Sequence, residues 1–271
     1  MEEIQNSASC KRDSANHQTA GSIVAMELDL SDLRSVRSFA SSFSKAYGKL
    51  DILVNNAGMN AIQVPGGAKR TAQGTEIVFG TNFVGPFALT LILLDLLKAS
   101  SAGRIVNLSS VMHRFASRDV ASAASGAKES RGYENSKLAM VLFTRELRRR
   151  LAGTRVVATA VDPGFVASDI WRALHGMPAV GTAWRALCAA FALTVDQGAA
   201  VSAAAAVAPR PTMEEEALYL QPYYLPLGWS LPFEMMGPFV GPRPAQPALP
   251  SDEPAQSREL WRLCEELAAA S

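Results

Sequence analysis

Short β-branched runs alternate along the chain with longer stretches whose apolar residues recur at helical spacing. Ile23-Val-Ala-Met26, Leu50-Asp-Ile-Leu-Val54, Arg104-Ile-Val-Asn-Leu108 and Arg155-Val-Val-Ala-Thr-Ala-Val161 are brief and nearly all apolar, the pattern of parallel strands buried on both faces. Leu33, Val36, Phe39, Ala40 and Phe43 share one helical face behind Ser31 as the expected N-cap, with Gly48 as the stop. Thr71 to Leu97 holds one or two helical pieces. Ala139, Leu142, Phe143, Leu147 and Leu151 form an apolar stripe, with Arg145, Arg148 and Arg149 gathered near its C-terminal end. Strands that alternate with helices predict βαβ units and an α/β fold, a doubly wound parallel sheet.

The pattern changes near residue 209. Eleven of the fifteen prolines fall between Pro209 and Pro254, so that stretch is expected to be neither continuous helix nor central strand, but an ordered lid or a loose tail over the surface. Leu218-Tyr-Leu-Gln221 reads as one further strand, and a last helix is expected from about Pro254, with Leu260, Cys264 and Leu267 on one face. The expected organisation is an α/β domain over residues 1–225, with 226–271 as a proline-rich wrap or lid plus a C-terminal helix of the same domain. No internal repeat or heptad is present.

Composition narrows the partners. A chain of 271 residues, 48% hydrophobic and 19% charged, can bury a large core, which excludes a mostly disordered, collagenous or coiled-coil protein. Its net charge of +1 gives no global attraction to nucleic acid or anionic lipid, so a small-molecule partner is expected. Cys10, Cys188 and Cys264 are scattered and odd in number, which fits a reducing compartment and neither a disulfide framework nor a CxxC metal site. The first twenty residues are polar, and the strongest apolar run, Ala186 to Val195, falls well short of the roughly 20 residues of a spanning helix. The expected location is cytoplasmic or peripheral to an intracellular membrane.

Candidate chemistry begins at Tyr133-Glu-Asn-Ser-Lys137, which sets a phenol and an ammonium about 40° apart on one helical face. A tyrosine hydroxyl, with its usual pKa near 10, is no base at neutrality. A fixed lysine cation is expected to stabilise the phenolate and draw it toward working pH. Such a pair is common on helix surfaces, but its neighbours add meaning. The strand Ile105-Val-Asn-Leu108 runs into Ser109-Ser110, where a hydroxyl faces the ligand crevice of an open α/β sheet. Another strand ends in Asn55-Asn56-Ala57-Gly58, a third in Asp162-Pro163-Gly164-Phe165-Val166, and Gly80-Thr81-Asn82-Phe83 lies within the helical stretch between them.

In this order the features resemble the short-chain dehydrogenase/reductase family, and Leu138-Ala-Met-Val-Leu-Phe-Thr-Arg-Glu-Leu147 is similar to its retinol-dehydrogenase-like and WW-domain-oxidoreductase-like branches. The resemblance runs from about Cys10 to Leu225, with weaker echoes in the last helix. It implies a Rossmann-like fold and an NADP-dependent oxidoreductase, NAD being second choice, that interconverts a lipophilic carbonyl and its alcohol by hydride transfer. It further implies Tyr133 as acid/base, Lys137 as its partner and a ribose donor, Asn82 as holder of a relay water, and Ser110 as the group that orients the carbonyl, with Ser109 as its competitor on the opposite face. Asn55, Ala57 and Gly58 would line the adenosine side, Asp29 would touch the adenine, and Pro163, Gly164 and Ser168 would meet the nicotinamide end. Arg12 in Cys10-Lys-Arg-Asp13 would pair with the 2′-phosphate through its fork of donors.

One family feature is missing. The glycine-rich turn that brings backbone N–H groups onto the pyrophosphate has no counterpart, since Gly21 is the first glycine and no two glycines are spaced G-x-G. The fold is therefore expected to be N-terminally incomplete, with weak cofactor binding, low stability and an N-terminus that reflects a partial or alternative gene product. A catalytically silent interaction or regulatory module is the alternative function. His113 is expected to be an ordinary loop histidine, and His17, His113 and His175 spell no metal site. Trp171, Trp184, Phe191, Met235 and Met236 read as core or lid packing, or else as the wall of an apolar substrate pocket.

Overall fold

A computed structural model describes residues 21–117, 120, 131–168, 170, 178–208, 219–224 and 239–269. Its centre is a five-stranded sheet in the order β1 (Ile52–Asn55), β2 (Arg104–Leu108), β3 (Val157–Val161), β4 (Tyr219–Tyr224) and β5 (Phe239–Pro244). The first four strands are parallel and β5 is antiparallel to β4. The longer helices among the described residues are α1 (Leu33–Ala46), α2 (Gly85–Ile92), α3 (Leu94–Ala99), α4 (Gly132–Arg150), α5 (Pro178–Phe191), α6 (Val195–Val207) and α7 (Glu253–Ala269), joined by shorter helical turns.

The near-continuous apolar strands follow from a sheet covered on both sides. Successive side chains point to opposite faces. Ile105 and Ala158 enter the larger core with α1, α2, α4 and α7, whereas Val106, Leu108, Val161 and Leu220 meet Val201 and Ala205 of α6. At the centre of the larger core Phe87, Phe143 and Trp261 join α2, α4 and α7, with ring centroids 5.0 to 5.6 Å apart. A polar clamp fixes the same junction: Arg149 Nη2 donates to both carboxylate oxygens of the buried Glu253, at 2.9 and 3.0 Å.

Four expectations are corrected. Ile23–Met26 forms no strand; Ile23 and Val24 are 58% and 64% exposed, because no neighbouring backbone among the described residues offers them a ladder. The N-cap of α1 is Asp32, whose carboxylate accepts from the Arg34 amide, while Ser31 is spent on Asp29. The sheet is parallel only as far as β4. Finally, the proline-rich region does supply an internal strand, since β4 lies between β3 and β5.

The prolines are tolerated for a geometric reason. Pairing of β4 with β3 ends at Leu220, so Pro222 stands beyond it. Against β5, the Ala245 amide donates to the Tyr219 carbonyl, which puts the bonded positions at alternate residues; Pro222, Pro242 and Pro244 occupy the intervening ones, where no N–H is required.

Truncating the aromatic junction should be costly. Phe143→Ala is expected to lose about 3–5 kcal/mol in urea unfolding, whereas the half-buried Phe39 of α1, changed to Ala, should lose less than half of that. Equal losses would show that the junction is no more central than the periphery.

Candidate active site

Strands β1, β2 and β3 end side by side, so Asn55, Ser109–Ser110 and Asp162 meet at one edge of the sheet, where α/β folds place their ligands. The N-terminal end of α4 is brought to that edge by contacts with the turn after β2. Arg131, in the left-handed region at φ 67°, donates from Nη1 to the Phe115 carbonyl at 2.8 Å, and Asn135 Oδ1 accepts from the Ser117 amide at 2.8 Å. Gly132 is required by close approach, because a Cβ there would overlap the Glu76 carboxylate, which itself caps the amides of Val78 and Phe79. These contacts set Tyr133 and Lys137 over the strand ends.

Ser110 and Ser109 divide their work. Ser110 is half-buried, its hydroxyl close enough to that of Tyr133 to oppose the rise of the tyrosine's pKa, and it accepts from the Met112 amide at 3.3 Å. Ser109 is buried and donates from Oγ to the Lys137 carbonyl at 2.8 Å, so it braces α4.

The Lys137 ammonium is buried, donates to the Leu108 carbonyl at 3.1 Å and lies 5.4 Å from the centre of the Tyr133 ring. Burial pushes its pKa down to about 8, against the attraction of Asp162. Tyr133 is pushed up to about 12 by burial, with Asp162 and Glu134 acting the same way and the nearby Ser110 hydroxyl opposing them. The expected lowering of the phenol is thus not met. Loss of water disfavours both charged forms, and a buried carboxylate shares the neighbourhood of the ammonium.

Asn82 sits in a π-turn, Gly80–Val84, just before Pro86, whose missing N–H leaves the Asn82 carbonyl without an α-helical donor. Its fully buried side chain is already engaged: Oδ1 accepts from the Met59 amide at 2.8 Å, and Nδ2 donates to the Met59 carbonyl at 2.8 Å and to Ser136 Oγ at 3.2 Å. The loop after β1 is thereby pinned against α4. Gly58 follows from that pinning, since a Cβ there would lie 3.3 Å from Asn82 Oδ1 and 3.5 Å from Lys137 Nζ.

Asn55 points inward, donating to Thr90 Oγ1 at 3.0 Å and Asn107 Oδ1 at 2.8 Å; Asn107 in turn donates to Thr144 Oγ1 at 2.9 Å. This buried ladder ties β1 and β2 to α2 and α4. Ala57 and Gly58 are exposed beside it. Asp29 is exposed, with Oδ1 occupied by the amide and hydroxyl of Ser31. Pro163, Gly164 and Ser168 follow β3; Gly164, at φ 82°, donates its amide to Asp162 Oδ1 at 2.9 Å, and the Ser168 amide reaches the Val166 carbonyl at 2.8 Å. The structure therefore gathers Asn82, Ser110, Tyr133 and Lys137, with Gly58 beside them, and holds Asp29 apart. Arg12, Trp171, His175, Met235 and Met236 lie outside the described residues. Trp184 of α5 packs edge-on against Phe165 at 5.7 Å.

Three polar residues at this edge escape the sequence reading. Asp162 is buried, with its pKa raised by burial against the opposing effect of the nearby Tyr219 hydroxyl of β4. His113 is no loop histidine at the surface but is 2% exposed. The sequence signals were the place of Asp162 before Pro163-Gly164 and that of His113 three residues past Ser110, from which it could reach substrate; nothing local marked Tyr219. Among the described residues no group of His, Cys, Asp and Glu could hold a metal ion, and no helix is long and apolar enough to cross a membrane.

Residues 4–178 match the short chain dehydrogenase family. The chain is similar to retinol dehydrogenase 14 of Homo sapiens, 39% identical over 191 residues that make up 70% of this chain and 56% of that protein. It is also similar to retinol dehydrogenase 12 of Homo sapiens, 44% identical over 152 residues, 55% of this chain and 47% of that one. The chain thus spans about half the length of the curated relatives it matches. Of solved structures, an uncharacterized protein from Mycobacterium paratuberculosis shares 29% identity at a TM-score of 0.61, covering 92% of this chain and 77% of its own. The RhlG/NADP active-site complex of Pseudomonas aeruginosa, at 24% identity and a TM-score of 0.53 over 72% of this chain and 73% of its own, supports the fold alone. A match that covers more than half of the sequence and runs through every element from α1 to β3 places the protein: it belongs to the short-chain dehydrogenase family.

Proposed function

We propose that this chain carries the site of an NADP-dependent oxidoreductase that interconverts a lipophilic carbonyl and its alcohol. The observation that carries the reading is the convergence of Tyr133, Lys137 and Ser110 at the strand ends, with the buried Lys137 ammonium on the Leu108 carbonyl and 5.4 Å from the centre of the Tyr133 ring. The nicotinamide, when bound, supplies or accepts the hydride. Of the three N–H donors of Lys137, Leu108 takes one, which leaves the others to meet ribose hydroxyls across the space that a side chain at Gly58 would fill. Asn55, Ala57 and Gly58, with Asp29 further out, would border the adenosine side, and Pro163, Gly164 and Ser168 the nicotinamide end. The ribose end fits these residues. The residues of this chain offer no glycine-rich cradle for the pyrophosphate.

Ser110 would donate to the substrate oxygen and Tyr133 would transfer the proton. With its hydroxyl pushed up to about 12, Tyr133 is a proton donor at neutrality, which favours carbonyl reduction. The engaged side chain of Asn82 makes it a positioning residue for the loop after β1, and any relay water would fall to its backbone carbonyl. The relatedness to retinol dehydrogenases supports a lipophilic substrate. Arg12 supports NADP over NAD.

In carbonyl reduction assayed with NADPH and NADH, Tyr133→Phe should abolish turnover while leaving far-UV circular dichroism unchanged, and Arg12→Ala should narrow the preference for NADPH. A Tyr133→Phe variant that keeps near-parental kcat overturns the assignment. An intact fold that neither binds NADPH by calorimetry nor turns over would favour the silent-module alternative.

The pH profile of kcat/KM should be flat between pH 6 and 7 and fall above about 8, where Lys137 gives up its proton. A profile flat to pH 10 would remove Lys137 from the mechanism.

The same cation strains the fold. Its native pKa lies below the unfolded value, so the charged form destabilises the native state at pH 7, an effect that fades as pH rises from about 8 toward 10.5. Lys137→Met should therefore raise stability at pH 7 by about 1–2 kcal/mol after the unpaired Leu108 carbonyl is counted, while activity is lost. A fall in Tm would show that the ammonium is better compensated than its burial implies.

A further inference from the structure

Next to Ser110, His113 touches three separate parts of the chain. It lies in the short helical turn Val111–Phe115 that Ser110 caps. Its Nδ1 is 2.6 Å from the Ser110 carbonyl, its Nε2 accepts from the Ala248 amide at 3.0 Å, and its ring lies 5.4 Å from that of Tyr219 in β4. A carbonyl is only an acceptor and an amide N–H only a donor. The proton is therefore on Nδ1, and Nε2 is bare.

We propose that His113 is a positioning residue for Ser110: a neutral imidazole whose Nδ1–H holds the serine carbonyl and whose Nε2 is itself held by the backbone of Ala248, so that the serine is placed by the segment linking β5 to α7. The inference rests on the reading of Ser110 as the group that meets the substrate oxygen. The Ser110 carbonyl also accepts the His113 amide at 3.0 Å, which closes the turn, and the Met112 amide reaches Ser110 Oγ at 3.3 Å. The imidazole thus ties this turn to Ala248, as Arg131 ties it to the start of α4 through the Phe115 carbonyl. Tyr219 supports it from the side, its hydroxyl 3.4 Å from Nδ1 and near the Asp162 carboxyl just past the end of β3.

Protonation would break the clamp, because a second N–H on Nε2 would confront the Ala248 amide. Burial and the charge of Arg114 on the same turn lower the His113 pKa to about 4, the Ser110 carbonyl opposing them. The groups that face it from other elements are the hydroxyl of Tyr219, the carboxyl of Asp162 behind that hydroxyl, and the amide of Ala248. The native pKa lies below the usual 6.5, so the unfolded chain binds more protons between these values and the stability due to neutral His113 is lost as pH falls from about 6.5 to about 4.

The test uses the full chain, 15N-labelled, with His113→Gln and His113→Asn. Gln keeps an acceptor at the place of Nε2 and lacks the donor at Nδ1; Asn keeps the donor and ends short of Ala248. The parent at pH 7 should show His113 protonated on Nδ1 alone. Amide exchange of Ala248 should rise about tenfold in His113→Asn and stay near parental in His113→Gln, and that of Met112 should show the reverse. Both variants should lose part of the parental destabilisation between pH 6.5 and 4. In carbonyl reduction His113→Gln should lower kcat about tenfold with KM for NADPH unchanged, and His113→Asn should recover most of it. A proton on Nε2, or equal exchange of Ala248 and Met112 in the two variants, overturns the clamp. An absence of turnover in the parent would sink the oxidoreductase reading alone, because the tautomer and exchange measurements judge the clamp without it.

Discussion

Burying the Lys137 ammonium at the ends of three parallel strands is the constraint on which the rest of this site depends. An ammonium taken out of water is tolerated only where oxygens replace the solvent. Here the Leu108 carbonyl supplies one, the face of Tyr133 lies within 5.4 Å, and the carboxyl of Asp162 acts at longer range. Each of these groups sits where it does because α4 is braced from outside the site. Ser109 holds the Lys137 carbonyl, Asn135 and Arg131 hold the turn after β2, and Gly132 lets the Glu76 carboxylate approach. The arrangement withholds solvation from Lys137 and Tyr133 together, which moves the lysine down and the tyrosine up.

Two buried polar systems surround that cation. The ladder from Asn55 through Asn107 to Thr144 joins β1, β2 and α4 beneath the site, and it consumes the amide that faces the crevice in a simpler reading of the sequence. The second gathers Asp162, Tyr219 and His113 where the end of β3 lies beside the start of β4. Buried networks of this kind gain their value from being fully satisfied, and a partly satisfied one is costly. They explain why strand ends that carry so many polar side chains remain ordered.

The two edges of the sheet contrast in the same terms. At β5 prolines occupy the positions that need no donor, which blunts the edge against further pairing. At β1, by contrast, Ile52 and Val54 are 39% and 42% exposed, and no strand among the described residues pairs with the outer side.

Much of this was local enough to be legible in sequence. The apolar runs of β2 and β3, the helical stripe of α4 and the Tyr133–Lys137 spacing depend on neighbours within a few residues, and backbone geometry alone turns such spacing into a face or an edge. Ile23–Met26 had the same composition as a strand and did not become one, because a strand exists only by pairing with another backbone. The prolines of β4 and β5 were misread for the complementary reason: whether a missing N–H matters depends on which side of which partner it faces. Tyr219 had no local signature, and the places of Asp162 and His113 beside strand ends did not disclose their partners, since those roles arise from contacts across as many as 135 residues of chain. The pKa of Tyr133 likewise could not be read from its lysine neighbour. The sequence determined which groups stand four residues apart on one helix, and only the tertiary structure decided how much water reaches them.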